Sequence, residues 1–139
     1  MNGAPTVAHV LTHVLTDQAP APAGHYTQAI VSRGQVYVSG QLPIRPDGLP
    51  LEDSGFDAQA EQAVRNLLAV LKAAGCGPQD LVKVTAYIVG VGHWPRFNAV
   101  YGALLGDARP ARSVVPVPEL HHGYLVEIDA VAVQPHAAA

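Results

Sequence analysis

The chain has 139 residues, a length that suits one domain and is too short for two of ordinary size. Hydrophobic residues make up 49% of it, which excludes a disordered chain, and no apolar run reaches the roughly 20 residues that a membrane-spanning helix needs. Only 14% of the residues are charged, against about 25% in a typical soluble domain, and a net charge of −3 provides no basic surface for nucleic acid.

The first predicted elements are strands. Residues 9–15 form a short β-prone run, and residues 16–24 are typical of a loop because they are rich in Pro, Ala and Gly. Two further strands are predicted at 29–32 and 36–39, joined by a turn of hairpin length at 33–35. Residues 43–50, which contain Asp47-Gly48, predict a second connection.

A helix is predicted next, because apolar residues recur at helical spacing along one stripe. Ser54 followed by Asp57 resembles a capping box at its start, and Gly75 is suited to its end. The stripe consists of Ala60, Ala63, Val64, Leu67, Leu68 and Leu71.

The second half of the chain predicts three strands and one helix. Residues 81–89 alternate between apolar and polar, which is typical of a strand packed on one side. A helix is predicted at 94–105, with Pro95 in its first turn, and the last strands at 111–117 and 124–133. Residues from about 134 are predicted to form a short irregular tail. Residues 1–139 are predicted to form a single domain.

The order β-β-β-α-β-α-β-β predicts an α+β fold with helices on one face of a mainly antiparallel sheet. The other face of that sheet would then be exposed to water unless another subunit buries it. The low charge content also leaves apolar residues on the surface, which favours association. We therefore expect a homo-oligomer. The alternative is a monomer whose surface is neutral and rich in Ala and Gly.

Glu127 and Asp129 stand out as carboxylates within an otherwise apolar strand, where a charge is costly unless it is paired or hydrogen-bonded. Arg112 is the natural partner, since it also lies within a strand. Two interpretations remain open. The pair forms a structural salt bridge, or Arg112 is free to bind a substrate carboxylate with its forked guanidinium while Glu127 handles a water molecule.

The sequence gives little support for a metal site, a nucleophilic serine or a reactive cysteine. The seven histidines show no metal-ligand spacing, and the adjacent His121 and His122 point to opposite faces of an extended chain, so we expect no metal site. Ser39 lacks the Gly-x-Ser-x-Gly context of a hydrolase nucleophile. Cys76, the single cysteine, excludes an internal disulfide and has no evident activating cation. With no basic segment at the start of the chain to indicate secretion, we expect a cytoplasmic protein.

Seven short motifs, in order and at compatible spacings over nearly the whole chain, resemble the reactive-intermediate deaminase family, the YjgF-like or Rid proteins. They are GHYTQA at 24–29, VSGQLP at 38–43 with DG at 47–48, QAVRNL at 62–67, LVKVT at 81–85, FNAVY at 97–101, PARS at 110–113 and LVEIDA at 125–130.

The resemblance implies a chorismate-mutase-like fold with a mixed six-stranded sheet, and a homotrimer with clefts between its subunits. It also implies hydrolysis of the imines and enamines released by pyridoxal-phosphate enzymes to 2-keto acids and ammonia, without a metal or organic cofactor. The substrate would be a small imino acid, with no nucleic acid or membrane as partner.

Site residues are implied by the same resemblance. Arg112 corresponds to the family's substrate-clamping arginine and Glu127 to its water-handling glutamate. Tyr26 and Asn98 correspond to cleft residues, and Ser39 and Gly40 lie where the family places cleft-lining backbone.

The chain departs from the commonest family pattern at His25, Val114, Pro116, His121 and His122, which bears on substrate range. Three alternatives therefore stay open. They are a binding or chaperone-like module that holds small acids without turnover, a ribonuclease, and a pathway-specific deaminase or cyclising enzyme for a larger substrate, with His25, His121 and His122 at the cleft rim. The net charge of −3 speaks against the ribonuclease.

Overall fold

The structure is a computed structural model that describes residues 3–4, 10–51 and 53–136. Its elements follow the predicted order of strands and helices. They are β1 (Thr12–Val14), β2 (Ala29–Ser32), β3 (Gln35–Gln41), α1 (Phe56–Ala73), β4 (Leu81–Val89), α2 (Trp94–Leu105), β5 (Ala111–Val117) and β6 (Val126–Val133).

The six strands form one mixed sheet in the order β1-β2-β3-β6-β4-β5. Neighbours pair antiparallel except β4 and β5, which are parallel and are connected through α2. The predicted α+β class is thus confirmed. The last strand along the chain, β6, lies in the middle of the sheet, and this places Glu127 between β3 and β4.

Both helices cover the same face of the sheet. The residues of β3, β4 and β6 that face them are buried in one core with the apolar stripe of α1 and with Phe97, Tyr101 and Leu105 of α2. The opposite face carries Tyr37, Val115 and Val133, each at least 37% exposed, and no element of the described part of the chain covers it. This arrangement agrees with the sequence expectation that one face of the sheet is left open.

The start of α1 differs from the prediction. Gly55 occupies the N-cap position and has no side chain that could cap the helix, so the capping box predicted for Ser54 and Asp57 is wrong. Because the helix begins at Phe56, Ser54 lies one residue before the cap, and its carbonyl accepts a hydrogen bond from Gln59 Nε2 at 2.8 Å. Gly75 ends the helix as expected, at φ 81°.

Several strand boundaries also differ. The run predicted at 9–15 forms a strand only at Thr12–Val14, and its first residue lies outside the described residues. The turn predicted at 33–35 is the two-residue turn Arg33-Gly34, in which both residues have positive φ, so β3 already starts at Gln35. The last strand begins at Val126 rather than at residue 124, since the backbone N–H of Leu125 donates to the Gln59 side chain of α1.

Candidate active site

Glu127 lies on the open face of the sheet, half-buried and directly across from Tyr87 of β4. On its other side the pairing of β3 with β6 shifts register between Val38 and Gln41, and Gly40 lies within this irregular stretch. A Cβ atom on Gly40 would overlap with Glu127 Oε1. Only glycine therefore leaves room for the carboxylate at this position.

The surroundings of Glu127 favour its protonated form. Burial raises the pKa of Glu127, the nearby Asp129 carboxylate raises it further, and His121 partly offsets these effects. Burial also raises the pKa of Asp129, against which a hydrogen bond from Tyr87 Oη at 3.3 Å acts in the opposite direction. Glu127 is thus a better proton acceptor, once ionised, than a carboxylate in water.

A cavity of about 420 Å³ adjoins this carboxylate on the side of Gly40. Its wall includes Tyr26, Gly40, Leu42, Ile44, His121 and His122. The loop between β1 and β2 closes one side of it and is held by the buried Gln28, whose amide donates to the carbonyls of Thr16 at 3.0 Å and Pro20 at 2.9 Å. The hydrogen bonds of this one buried side chain therefore fix the position of the loop that forms this side of the cavity.

Ser39 fastens β3 to the same loop. Its hydroxyl donates to the Thr27 carbonyl at 2.6 Å, and its backbone N–H donates to the Gln28 carbonyl at 2.9 Å. The Ser39 side chain is therefore engaged with backbone. Of residues 39 and 40, Gly40 is part of the cavity wall and Ser39 is not, and their role in lining a substrate cleft stays a prediction.

Arg112 lies on the other, helix-covered face, at the edge strand β5. Its Nη1 donates to Asn98 Oδ1 at 3.0 Å, and its guanidinium carbon lies 4.9 Å from the centre of the Tyr101 ring and 5.6 Å from that of Trp94. Among the described residues, no carboxylate lies within ion-pair distance of Arg112. The guanidinium is thus oriented by an amide and by aromatic faces, and its charge is not neutralised.

Within one protomer Arg112 and Glu127 do not meet. Arg112 pairs in register with Val84, which is buried under the helices, whereas Glu127 pairs with Tyr87 on the open face. Strand β4 separates them, and Arg112 is also displaced by three positions along β4. A salt bridge between the two within one chain, one of the two interpretations of the sequence, is therefore wrong.

The predicted site residues thus form two groups in one chain. Tyr26 and Gly40 line the cavity, with Ser39 and Glu127 next to Gly40, while Asn98 and Arg112 lie on the other face of the sheet. The sequence predicted a helix at 94–105 but not the contact of Trp94 and Tyr101 with Arg112. Their spacing with Asn98, on one face of α2, was the available signal.

Two negative findings concern the described residues only. No three His, Cys, Asp or Glu side chains there are close enough together to hold a metal ion. No helix in those ranges is both long and apolar enough to cross a membrane.

The fold and site define an α+β domain with a carboxylate-bearing cleft and an unpaired, aromatic-backed arginine. A family model described as Endoribonuclease L-PSP matches residues 16–134, and the chain belongs to this family, the YjgF/RutC/Rid proteins. The resemblance identified from the sequence is thereby confirmed.

Relatives and solved structures agree with this assignment. A RutC family protein from Synechocystis is 42% identical over 88% of this chain and 95% of its own length, and the rat 2-iminobutanoate/2-iminopropanoate deaminase is 36% identical over 87% and 88%. The crystal structure of Escherichia coli TdcF with bound serine superposes with a TM-score of 0.83 at 30% identity, covering 89% of this chain and 99% of that one.

Proposed function

We propose that the protein hydrolyses 2-imino acids, and their enamine tautomers, to 2-keto acids and ammonia. The observation that carries this proposal is Arg112, a guanidinium held in place by Asn98 and aromatic rings, with no carboxylate of the described residues within ion-pair distance. Such a group is suited to bind the carboxylate of a small acid in a bidentate pair. The name of the rat relative and the serine bound to the E. coli protein support a substrate of amino-acid type.

The chemistry assigns one step to each charged group. Arg112 holds the carboxylate, so that the imine carbon is presented to a water molecule at Glu127. Glu127 takes a proton from this water as the oxygen adds to the carbon, and passes that proton to the imine nitrogen to give a carbinolamine. As the C–N bond breaks, the hydroxyl proton of the carbinolamine is transferred through Glu127 to the nitrogen, so that ammonia and the 2-keto acid leave and Glu127 is ionised again.

A coupled assay tests the reaction. An amino-acid oxidase generates imines in solution, and a nucleophile such as semicarbazide reports their lifetime with and without the protein. The proposal expects a shorter imine lifetime and faster release of 2-keto acid. A protein that binds 2-keto acids yet leaves the imine lifetime unchanged would be a binding module instead, and cleavage of RNA by the same preparation would favour a ribonuclease.

The position of the two charged groups leads to a proposal about assembly. Because Arg112 and Glu127 lie on different faces of one chain, one substrate reaches both only if two protomers each contribute one group. The open sheet face and the low charge content support association of this kind. We expect light scattering to give three times the 14.5 kDa of one chain, and a stable monomer at micromolar concentration would contradict the proposal.

Mixing inactive variants makes the same prediction sharper. If each site takes Arg112 from one protomer and Glu127 from its neighbour, then co-refolding Arg112→Ala with Glu127→Gln chains creates some sites that carry both native groups. Activity should reappear in the mixed sample, whereas either variant refolded alone is the control. A mixture that stays inactive although its subunits have exchanged would place both groups in one protomer.

The close contact at Gly40 makes a further prediction. In Gly40→Ala the new methyl group forces the Glu127 carboxylate aside, and we expect kcat/KM to fall by about 10²-fold or more, as for other displaced catalytic groups. Gly55→Ala is the matched control, because a Cβ there meets nothing within 4 Å. Equal activity of the two variants would show that the position of Glu127 is unimportant.

The pH dependence follows from the raised pKa of Glu127. Its ionised form accepts the proton, so the rate is lost as pH falls through a pKa above the usual glutamate range. Burial causes most of this shift and Asp129 adds to it, so Asp129→Asn should move the acid limb of kcat/KM to lower pH. Asp107→Asn, at an exposed position, is the control, and an unchanged limb in Asp129→Asn would contradict the assignment.

A further inference from the structure

The cavity beside Glu127 is larger than a short aliphatic substrate requires. Its volume of about 420 Å³ lies within the range of roughly 300–1,000 Å³ that is typical of cavities for ligands much larger than a methyl or ethyl group. A methyl or ethyl substituent would leave most of this space to solvent, while an aromatic ring or a branched aliphatic chain would fill it. The size of the cavity is therefore the first observation that bears on the substrate.

The wall of the cavity exposes more apolar than polar surface and carries no acidic side chain, lysine or arginine. Five of its twelve lining residues are Ala, Pro, Leu or Ile, the others include two Gln and two His, and no Lys, Arg, Asp or Glu is among them in the described part of the chain. Tyr26 adds an aromatic ring that is 51% exposed, so one surface of the wall is available for stacking. A neutral apolar group is favoured here over an acidic or basic one.

Two imidazoles form another part of the wall. His122 has φ 59° and ψ 15°, a left-handed conformation that glycine adopts freely and that other residues adopt less often, histidine more than most. Its ring contacts that of His121 edge-on at 4.0 Å and lies 6.2 Å from the ring of the buried Tyr124. The turn does not require a side chain at 122, and the imidazole there is part of the cavity wall.

The cavity also adjoins the reacting group. Gly40 is part of its wall and lies against Glu127 Oε1, and His121, at the rim, is close enough to act electrostatically on the same carboxylate. A substrate whose imine carbon is at Glu127 can therefore extend its side chain past Gly40 into the cavity.

We propose that this cavity receives the side chain of the imino acid, that it selects aromatic or bulky aliphatic imino acids over those with a methyl or ethyl group, and that His122 is a specificity-determining residue. The inference rests on the proposed function and narrows its substrate class. The two imidazoles and Tyr26 supply the aromatic contacts, and the aliphatic wall supplies the remaining contact area.

The test compares imines generated by an amino-acid oxidase from phenylalanine and from 2-aminobutanoate. We expect kcat/KM of the wild type to be higher for the aromatic imine by about 10-fold or more, the usual range for well-filled apolar pockets. In Ala23→Phe the new ring occupies the cavity, and the aromatic-to-aliphatic ratio should fall by about 10-fold. Ala58→Phe, at an exposed position of α1 away from the cavity, should keep the ratio of the wild type.

A second variant separates the imidazole from the shape of the turn. His122→Gly removes the ring and relieves the left-handed backbone, so the melting temperature should hold or rise. The ratio should nevertheless fall by about 2–10-fold, the range expected for one lost aromatic contact. An unchanged ratio in this variant would remove His122 from the proposal.

Two outcomes would overturn the inference as a whole. One is a wild type that prefers the aliphatic imine with a ratio that Ala23→Phe does not change. The other is loss of the native oligomer in Ala23→Phe, which would make the cavity a subunit contact. If no imine is hydrolysed, the proposed function fails, and calorimetry with phenylpyruvate and 2-oxobutanoate still decides this inference: equal or weaker binding of phenylpyruvate contradicts it, and tighter binding that Ala23→Phe abolishes supports it.

Discussion

Replacing Arg112 with alanine is expected to reduce imine hydrolysis to the uncatalysed rate while the fold persists. The variant loses the group that holds the substrate carboxylate and with it the alignment of the imine carbon at Glu127. Its structural loss is confined to one hydrogen bond to Asn98 and the contacts with the rings of α2. Such cation–π contacts contribute about 1 kcal/mol, or a few degrees in melting temperature.

Measurement of both properties distinguishes this role from a structural one. Breaking a buried ion pair would cost about 3–5 kcal/mol of the free energy of unfolding, which thermal shift would detect at once. Arg112→Lys keeps the charge but loses the fork, so it should bind 2-keto acids more weakly and should not restore turnover. Arg65→Ala, on the exposed face of α1, is the control for loss of an arginine. A large loss of stability with normal activity in the folded fraction would refute the assignment.

The second large effect is expected for Glu127→Gln. The amide can hold a water molecule but cannot take its proton, so kcat should fall by about 10²–10⁴-fold, the usual contribution of a general base. Glutamine has nearly the same shape, so the contact with Gly40 and the binding of 2-keto acids through Arg112 should be retained. The protein should also be as stable as the wild type or more so, because a half-buried charge beside Asp129 is removed.

Steady-state kinetics and calorimetry on the same preparation check this result. Glu61→Gln, at an exposed position of α1, is the control and should keep full activity. If Glu127→Gln lost carboxylate binding together with turnover, Glu127 would be part of the binding site rather than the base. A variant that kept its rate would leave the water without an identified proton acceptor.

The elements of this protein are largely encoded in local sequence. The apolar stripe from Ala60 to Leu71 has one period that suits a helix, and the alternation at 81–89 suits a strand, so both were predicted within a few residues. The errors lie at the ends. Phe56 rather than Ser54 marks the start of α1, because the position of a helix end depends on a few competing hydrogen bonds rather than on the period.

Some residues of the candidate site could also be predicted from the sequence. An ionisable residue inside an apolar strand is easy to recognise in a sequence. The ordered motifs also matched Arg112 and Glu127 to functional residues of one family. The aromatic support of Arg112 was missed, because Trp94 and Tyr101 at helical spacing are equally typical of a core. Pattern alone does not distinguish a ring that packs against leucine from one that packs against a guanidinium.

Residue types and their spacing along the chain were enough to predict the fold class, the family and the charged residues of the candidate site. Tertiary structure decided where the charges lie. The parallel pairing of β4 with β5 and the antiparallel pairing of β4 with β6 put Arg112 and Glu127 on opposite faces. Strand alternation is a local property, but which face two distant strands share is set by their register. The register depends on how all the strands and helices bury their apolar residues together, so it cannot be predicted from any single segment of the sequence.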